Sequence, residues 1–343
     1  MRELRAETQK IGQQPKTAAD LTAGESTGTA AELTAGESAR TAAELTAGER
    51  ARTAADLTAG ERAKTAAELT AGESTKTAAE LTAGERAKTA ADGTDRESAD
   101  KIRRLMSMRL RTVAGMVRGG GCLADIGTDH AYVPVFLVAS GQFERALALD
   151  INAGPLERAR ENIREARLEN RIRTRLSDGM AALNPGEAST AVIAGMGGAL
   201  TVRILEKDPK VTASLEELVL QPQSEIFRVR TWLWQYGWYI DDESMVLEDG
   251  KYYPVMRAVH DVEMAEQQAW EDHVRRGISS CFGPKLLERK DEVLKSYLEW
   301  EKQVKEEVLR QLDSPTSEGA MLRRKQVEAE LERNREAWNR IRG

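Results

Sequence analysis

The stretch CLADIGTDHAYVPVFLVA, residues 122–139, passes from a short apolar run (Cys122–Gly127) through a turn into a second apolar segment at 133–139. Upstream, Ile102, Leu105, Met106, Leu110, Val113, Ala114 and Val117 recur at three- and four-residue spacing, which predicts one amphipathic helix over about 100–118. Gly119-Gly120-Gly121 ends it. Downstream, Ala146–Ile151, Ile172–Leu176, Ala191–Met196 and Leu218–Gln221 read as strands. Between them lie helical patterns at 155–168 (with Pro155 in its first turn), 199–207 and 225–236. Two β-rich runs, 238–247 and 252–259, are joined by Glu248-Asp249-Gly250-Lys251, where Asp-Gly signals a hairpin. Alternating strands and helices closed by an antiparallel pair describe an α/β chain with a doubly wound sheet and an antiparallel edge hairpin.

Ligands of such sheets bind outside the carboxyl ends of the strands, at the point where strand order reverses. The first strand ends in Asp125-Ile126-Gly127-Thr128-Asp129-His130, and the second in Asp150, an acid placed to take the hydroxyls of a ribose. The third is followed by Ser177-Asp178-Gly179, with Asp178 positioned to accept from an adenine amino group. The fourth runs into Ala194-Gly195-Met196-Gly197-Gly198, whose glycines permit close backbone approach to a ligand. A dinucleotide oxidoreductase needs G-x-G-x-x-G against a pyrophosphate. Here Asp129 stands where a second glycine would be required, and its charge repels a pyrophosphate but suits a cationic sulfonium. The ordered set of strand-end groups therefore points to S-adenosylmethionine rather than NAD, with Asp125, Gly127, Asp150, Asp178, Gly179 and Ala194 as cofactor-binding candidates.

The strings LADIGTDHAYVP (123–134), VIAGMGG (192–198), LQP (220–222), LWQYGW (233–238) and EDGKYY (248–253) resemble the bacterial tRNA (adenine-22-N1)-methyltransferase family. So do the S-x-R-L-x-x-V-A-x-x-V run at 107–117 and FGPKLL at 282–287. The resemblance spans about 105–343. It implies a Rossmann-like S-adenosylmethionine domain followed by a C-terminal coiled coil, and methyl transfer to N1 of a tRNA adenine. On that reading Asp129 and His130 lie nearest the transferred methyl, and Gly195, Met196 and Gly197 shape the catalytic pocket. Asp129 would accept from the adenine N6 amino group and His130 would orient Asp129 or touch RNA. The alternative for Asp129 is a cap on the following helix. The alternatives are an S-adenosylmethionine-dependent methyltransferase of another substrate, or a cofactor-binding interaction module without catalysis.

Beyond residue 260, Leu287, Leu294, Tyr297, Val304, Val308 and Leu312 run close to heptad spacing. After Ser314-Pro315-Thr316-Ser317, Val327, Leu331, Trp338 and Ile341 resume it. Two helices joined by a proline turn predict an antiparallel helical hairpin, either dimerising or clamping substrate. Basic residues Arg103, Arg104, Arg109 and Arg111, in a segment without an acid, are the candidate RNA phosphate contacts. The second basic run, along 155–175, is interleaved with glutamates and reads as a solvated face.

The first hundred residues carry none of the chain's Trp, Tyr, Phe or Cys, and hold 13 Lys/Arg against 18 Asp/Glu. A twelve-residue unit, T-A-A-E/D-L-T-A-G-E-x-x-x, starts at Thr17, Thr29, Thr41, Thr53, Thr65 and Thr77, and decays after Thr89. In one continuous helix its leucine rotates by about 120° per repeat, so no apolar stripe forms. A low-complexity tail, disordered or marginally helical, is expected at 1–97, with a partner-induced helix as the other reading. The expected organisation is that tail, a methyltransferase domain at 98–260 and a helical extension at 261–343. Two cysteines without CxxC and three scattered histidines give no metal site. No apolar run reaches membrane-spanning length and the start is not a signal peptide, so the expected setting is cytoplasmic, with tRNA as partner and no membrane. Oligomeric state is left open by the sequence.

Overall fold

The computed structural model describes residues 95–312 and 317–343; the repeats before residue 95 and the proline turn around Pro315 lie outside the described residues. The single helix expected over 100–118 is two helices, α1 (residues 95–105) and α2 (Met108–Met116). Ser107 separates them: its backbone is extended and its hydroxyl accepts from the Leu110 N–H at 3.3 Å, which caps the second helix. The apolar period runs through the break because Ile102, Met106, Val113, Ala114 and Val117 are buried in one cluster. Asp95, at the beginning of α1, pairs with Arg171 at 3.1 Å.

The chain then alternates through β1 (Cys122–Ile126), α3 (Tyr132–Ala139), β2 (Arg145–Asp150), α4 (Ala153–Glu165), β3 (Ile172–Leu176) and β4 (Thr190–Met196). There follow α5 (Gly198–Lys207), the short α6 (Pro209–Thr212), β5 (Glu217–Pro222), α7 (Ile226–Gln235), β6 (Trp238–Glu248) and β7 (Lys251–His260). Among the described residues these strands make one seven-stranded sheet in the order β3-β2-β1-β4-β5-β7-β6. The first five are parallel, and β7 is antiparallel to both its neighbours. Strands covered on both faces by helices carry continuous apolar runs, and every residue of β1 is buried. Alternate β1 side chains serve opposite layers: Leu123 enters the cluster with α3, Ala124 and Ile126 the one with α5 and α7. The hairpin turn places Asp249 and Gly250 at φ 49° and 72°, the left-handed pair that the Asp-Gly sequence favours.

Beyond β7 come α8 (Val262–Val274), α9 (Ile278–Phe282), α10 (Pro284–Glu288), α11 (Glu292–Gln311) and α12 (Glu318–Arg342). A third apolar cluster joins Met245 of β6 to Phe282, Leu286, Leu287, Leu294, Leu298, Ala337 and Ile341. Leu287 therefore belongs to a separate short helix, and the α11 seam is Leu294 and Leu298 rather than Val304, which is exposed. The α12 side of the seam agrees with the sequence pattern at Val327, Leu331 and Ile341. Farther along, contacts are polar: the buried Asn334 amide donates to Leu298 O and Glu301 Oε2, and Lys305 bridges Glu301 and Glu330.

One buried ion pair ties this extension to the sheet. Arg230 of α7 donates from Nε to Glu243 of β6 at 2.8 Å, with both side chains shielded from water. The Arg230 Nη1 also donates to the carbonyls of Ser280 and Cys281, and Glu243 Oε2 accepts from the Lys285 N–H. Gly283 has to be glycine there: its φ is 95°, and a Cβ would lie 2.7 Å from Glu243 Oε2.

Candidate active site

Strand order reverses between β1 and β4, and the carboxyl ends of these two strands open onto a cavity of about 420 Å³. Asp125, Gly127, Thr128, Asp129, His130, Ala194 and Gly195 line it, closed on one side by Arg109 and Leu110 of α2. Gly127 and Thr128 both donate their N–H to Leu149 O at 2.8 Å, so the exit of β1 is held on β2. Gly127 sits at φ 76°, and a Cβ there would meet Met196 Cε at 2.2 Å. Met196 thus packs under the β1 turn. β4 shifts register against β5 between Ala194 and Met196, where Gly195 adopts φ 79°. Gly198 N donates to Ser224 O, and a Cβ on Gly198 would lie 2.5 Å from that oxygen.

The carboxyl group of Asp125 is buried. Burial, with a smaller push from the Asp150 charge, raises its pKa to about 6 despite an opposing effect of Thr128. Asp129 is exposed and bonded to Arg158 Nη2 at 2.7 Å, with His130 Nε2 at 3.5 Å. The His130 ring stacks on Tyr132, centroids 5.0 Å apart, and the His130 carbonyl accepts from Asn162 Nδ2. The N-cap residue of α3 is Ala131, φ 55°, and no side chain caps the helix, so the capping alternative for Asp129 does not hold.

Five of the sequence candidates, Asp150, Asp178, Gly179, Met196 and Gly197, are not among the residues that line this cavity. Asp150 accepts from the Asn152 N–H at the tip of β2. Asp178 is exposed and bonded to Lys207 at 2.6 Å; that hydrogen bond, with the lysine charge, holds its carboxyl below the ordinary range. Gly179, φ 66°, packs its backbone against Ile204. Met196 lies under Gly127, and Gly197 is the N-cap residue of α5.

The basic quartet divides. Arg103 and Arg104 are exposed, while Arg111 folds back onto the carbonyls of both. Arg109 turns inward: its Nη1 donates to Gln221 Oε1 at 2.7 Å, and its guanidinium lies 5.5 Å from the Tyr253 ring centroid. The same Gln221 oxygen accepts from Gly195 N at 3.1 Å. Gln221 and Gln223, which the pattern of strand-end acids and glycines does not single out, are thus part of the site. Their signal in the sequence is a polar residue at the end of an otherwise apolar strand. Among the described residues no three His, Cys, Asp or Glu gather as a metal site, and no helix is long and apolar enough to cross a membrane.

Residues 106–256 match the Methyltransferase domain family. The tRNA (adenine(22)-N(1))-methyltransferase of Bacillus subtilis is 36% identical over 188 residues, covering 55% of this chain and 77% of that protein. The crystal structure of the m1A22 tRNA methyltransferase TrmK of B. subtilis superposes with a TM-score of 0.60 at 31% identity, over 68% of this chain and 98% of that one. TrmK of M. capricolum, solved with the cofactor product S-adenosyl-homocysteine, gives 0.58 at 25% identity, over 69% and 99%. With the fold, the strand-end acids and these relatives in agreement, the chain belongs to the tRNA (adenine(22)-N1)-methyltransferase family.

Proposed function

We propose that this chain transfers the methyl group of S-adenosylmethionine to N1 of adenine 22 in tRNA, the reaction named for its B. subtilis relative. The observation that carries the proposal is the convergence of Asp125, Gly127, Asp129, His130, Ala194 and Gly195 on one cavity at the strand-order reversal. That cavity fits a cationic cofactor. A buried carboxyl with a raised pKa is a charge in want of a counterion, and Gly127 leaves no room for a side chain between the turn and Met196. When bound, S-adenosylmethionine supplies an electrophilic methyl on a positively charged sulfur.

Adenine N1 carries a lone pair, so no strong base is needed and the protein contributes mainly by alignment. Asp125 and Gly127 would hold the cofactor in the cavity, with Asp150, whose charge acts on Asp125, at its edge, and the Arg109–Gln221–Gly195 chain of hydrogen bonds fixes the β4 bulge that forms the facing wall. Arg158 and His130 position the Asp129 carboxylate, which accepts from the adenine amino group and stabilises the positive charge that N1 methylation leaves on the ring. Asp178 and Gly179, after β3, would hold the adenosine end of the cofactor, with Asp178 exchanging its Lys207 partner for it. Arg103 and Arg104 meet the RNA phosphates, a role that suits the cytoplasm, where tRNA is found.

Methyl incorporation into an unmodified tRNA transcript, compared with one carrying guanine at the target position, tests the reaction: only the first should be labelled. Asp129→Asn should lower kcat on the order of 10- to 100-fold while leaving cofactor affinity within a few-fold. Wild-type turnover in that variant would remove Asp129 from the mechanism.

We further propose that the working enzyme begins at residue 95 rather than 98, because a cut at 97 deletes the Asp95 partner of Arg171. The preceding segment has no aromatic side chain and an acidic balance, which suits neither a core nor a phosphate backbone. Deleting residues 1–94 should leave methylation rate and cofactor affinity unchanged. Loss of activity in a truncated protein that still melts cooperatively would make the repeats part of the enzyme.

A further inference from the structure

We propose that a second cavity, adjoining the first, binds a nucleobase flanking the target adenine; this rests on the tRNA reading above. The cavity, about 440 Å³, lies between the tip of the β6–β7 hairpin, the start of α7, and Tyr297 and Trp300 of α11. Its walls include Tyr252, Tyr253, Tyr297 and Trp300, and Gln223 lines both cavities.

Three of these rings, Tyr252, Tyr297 and Trp300, form a continuous aromatic surface. Tyr252 is 5.2 Å from Tyr297 and 5.7 Å from Trp300 by centroids, and Tyr297 is 5.8 Å from Trp300. Tyr297 is anchored by donating to Glu301 Oε1 at 3.1 Å. Trp300 keeps 47% of its surface exposed. A cluster that served packing alone would fill its own volume. This one instead surrounds open space and leaves its largest ring half in water. Tyr253 also supports Arg109, whose guanidinium reaches Gln221 and hence the methyl-transfer cavity.

Such a surface beside a base-modifying site suits a particular occupant. Extruding one base from folded RNA unstacks its neighbours. Aromatic side chains recover stacking with any base, and an amide such as that of Gln223 offers both donor and acceptor to a base edge. Lys251, at the cavity mouth, supplies a cation for the adjoining phosphate. The helical extension then serves the reaction directly, because it brings Trp300 against the neighbour of the reacting base.

The test uses the full chain with Trp300→Leu, Trp300→Ala and Trp300→Phe, assayed on tRNA transcripts with an abasic site at either neighbour of the target. Trp300→Ala should raise KM for tRNA on the order of 10-fold, with kcat and S-adenosylmethionine affinity within twofold. Trp300→Phe should restore most of the loss. Trp300→Leu keeps apolar packing but lacks a π face, so it should resemble Ala, and it decides the matter if Ala unfolds. One abasic transcript should show a comparable KM rise with the wild-type protein and no further rise with the Leu or Ala variant. An unchanged KM in the variants, or fully additive losses, overturns the base site while normal wild-type turnover leaves the methyltransferase reading standing. Absence of any tRNA methylation by the wild-type protein removes both.

Discussion

Replacing Asp125 with Asn should make the protein more stable and nearly unable to bind its cofactor. The folded carboxyl titrates at about 6, against 3.8 for the ordinary group. Between those values the native state holds a proton that the unfolded chain has released. Stability therefore falls as pH rises from about 4 to 6, and the full deficit, roughly 3 kcal/mol, is present above the folded pKa. Asparagine carries no charge to desolvate. The variant should melt several degrees higher at pH 7, and the wild-type decline of Tm between about pH 4 and 6 should flatten. Cofactor affinity should drop on the order of 100-fold, as for loss of a charged partner in a buried site. In the wild type it should weaken as pH falls below about 6, where the carboxyl becomes neutral. Calorimetric titration and thermal melts across pH 4–8 read both effects. An unchanged cofactor Kd in the asparagine variant would remove Asp125 from the site. Both outcomes together would mark the Asp125 charge as one kept for a ligand at a cost in stability.

Glu243→Ala should have the largest effect on the fold. Arg230 would be left with a buried guanidinium donating only to the Ser280 and Cys281 carbonyls, and the Lys285 N–H would lose its acceptor. Breaking a buried pair from one side costs about 3–5 kcal/mol, which lowers Tm by about 10 °C for a domain of this size. Removing both charges in Glu243→Leu with Arg230→Met should recover most of that loss, because the desolvation cost disappears along with the attraction. Additive destabilisation in the double variant would show that the pair contributes through shape rather than charge.

The strand–helix alternation is legible because parallel strands buried on both faces leave unbroken apolar runs, and the glycines at their ends mark where backbone conformation is special. The acids at the ends of β1 and β2 are visible for the same reason: charge directly after an apolar run. The break at Ser107 is obscured because both flanking helices bury their apolar faces in one cluster, so the period survives the interruption. The inward turn of Arg109 is not legible, since its partner Gln221 is 112 residues away and only sheet topology brings them together. Composition makes four arginines look alike. Tertiary contacts give them three different environments. The α11 seam deviates from the heptad reading because Leu294 and Leu298 face α9, α10 and the base of α12 rather than a uniform coiled-coil partner.

The first turn of α2 is completed by a residue made much later. Met108 and Arg109 donate their N–H groups to Glu248 Oε1, across 140 and 139 positions of sequence. As the chain leaves the ribosome, α2 emerges long before the hairpin that caps it, and β6 reaches the sheet only through β7. The wall that Arg109 and Leu110 supply is therefore completed only after Glu248 has been made, later than the ends of β1 to β5. A nascent chain stopped before Glu248 has the acids of the pocket without the carboxylate that holds Met108 and Arg109, and its affinity for the cofactor should be lower than that of the finished chain.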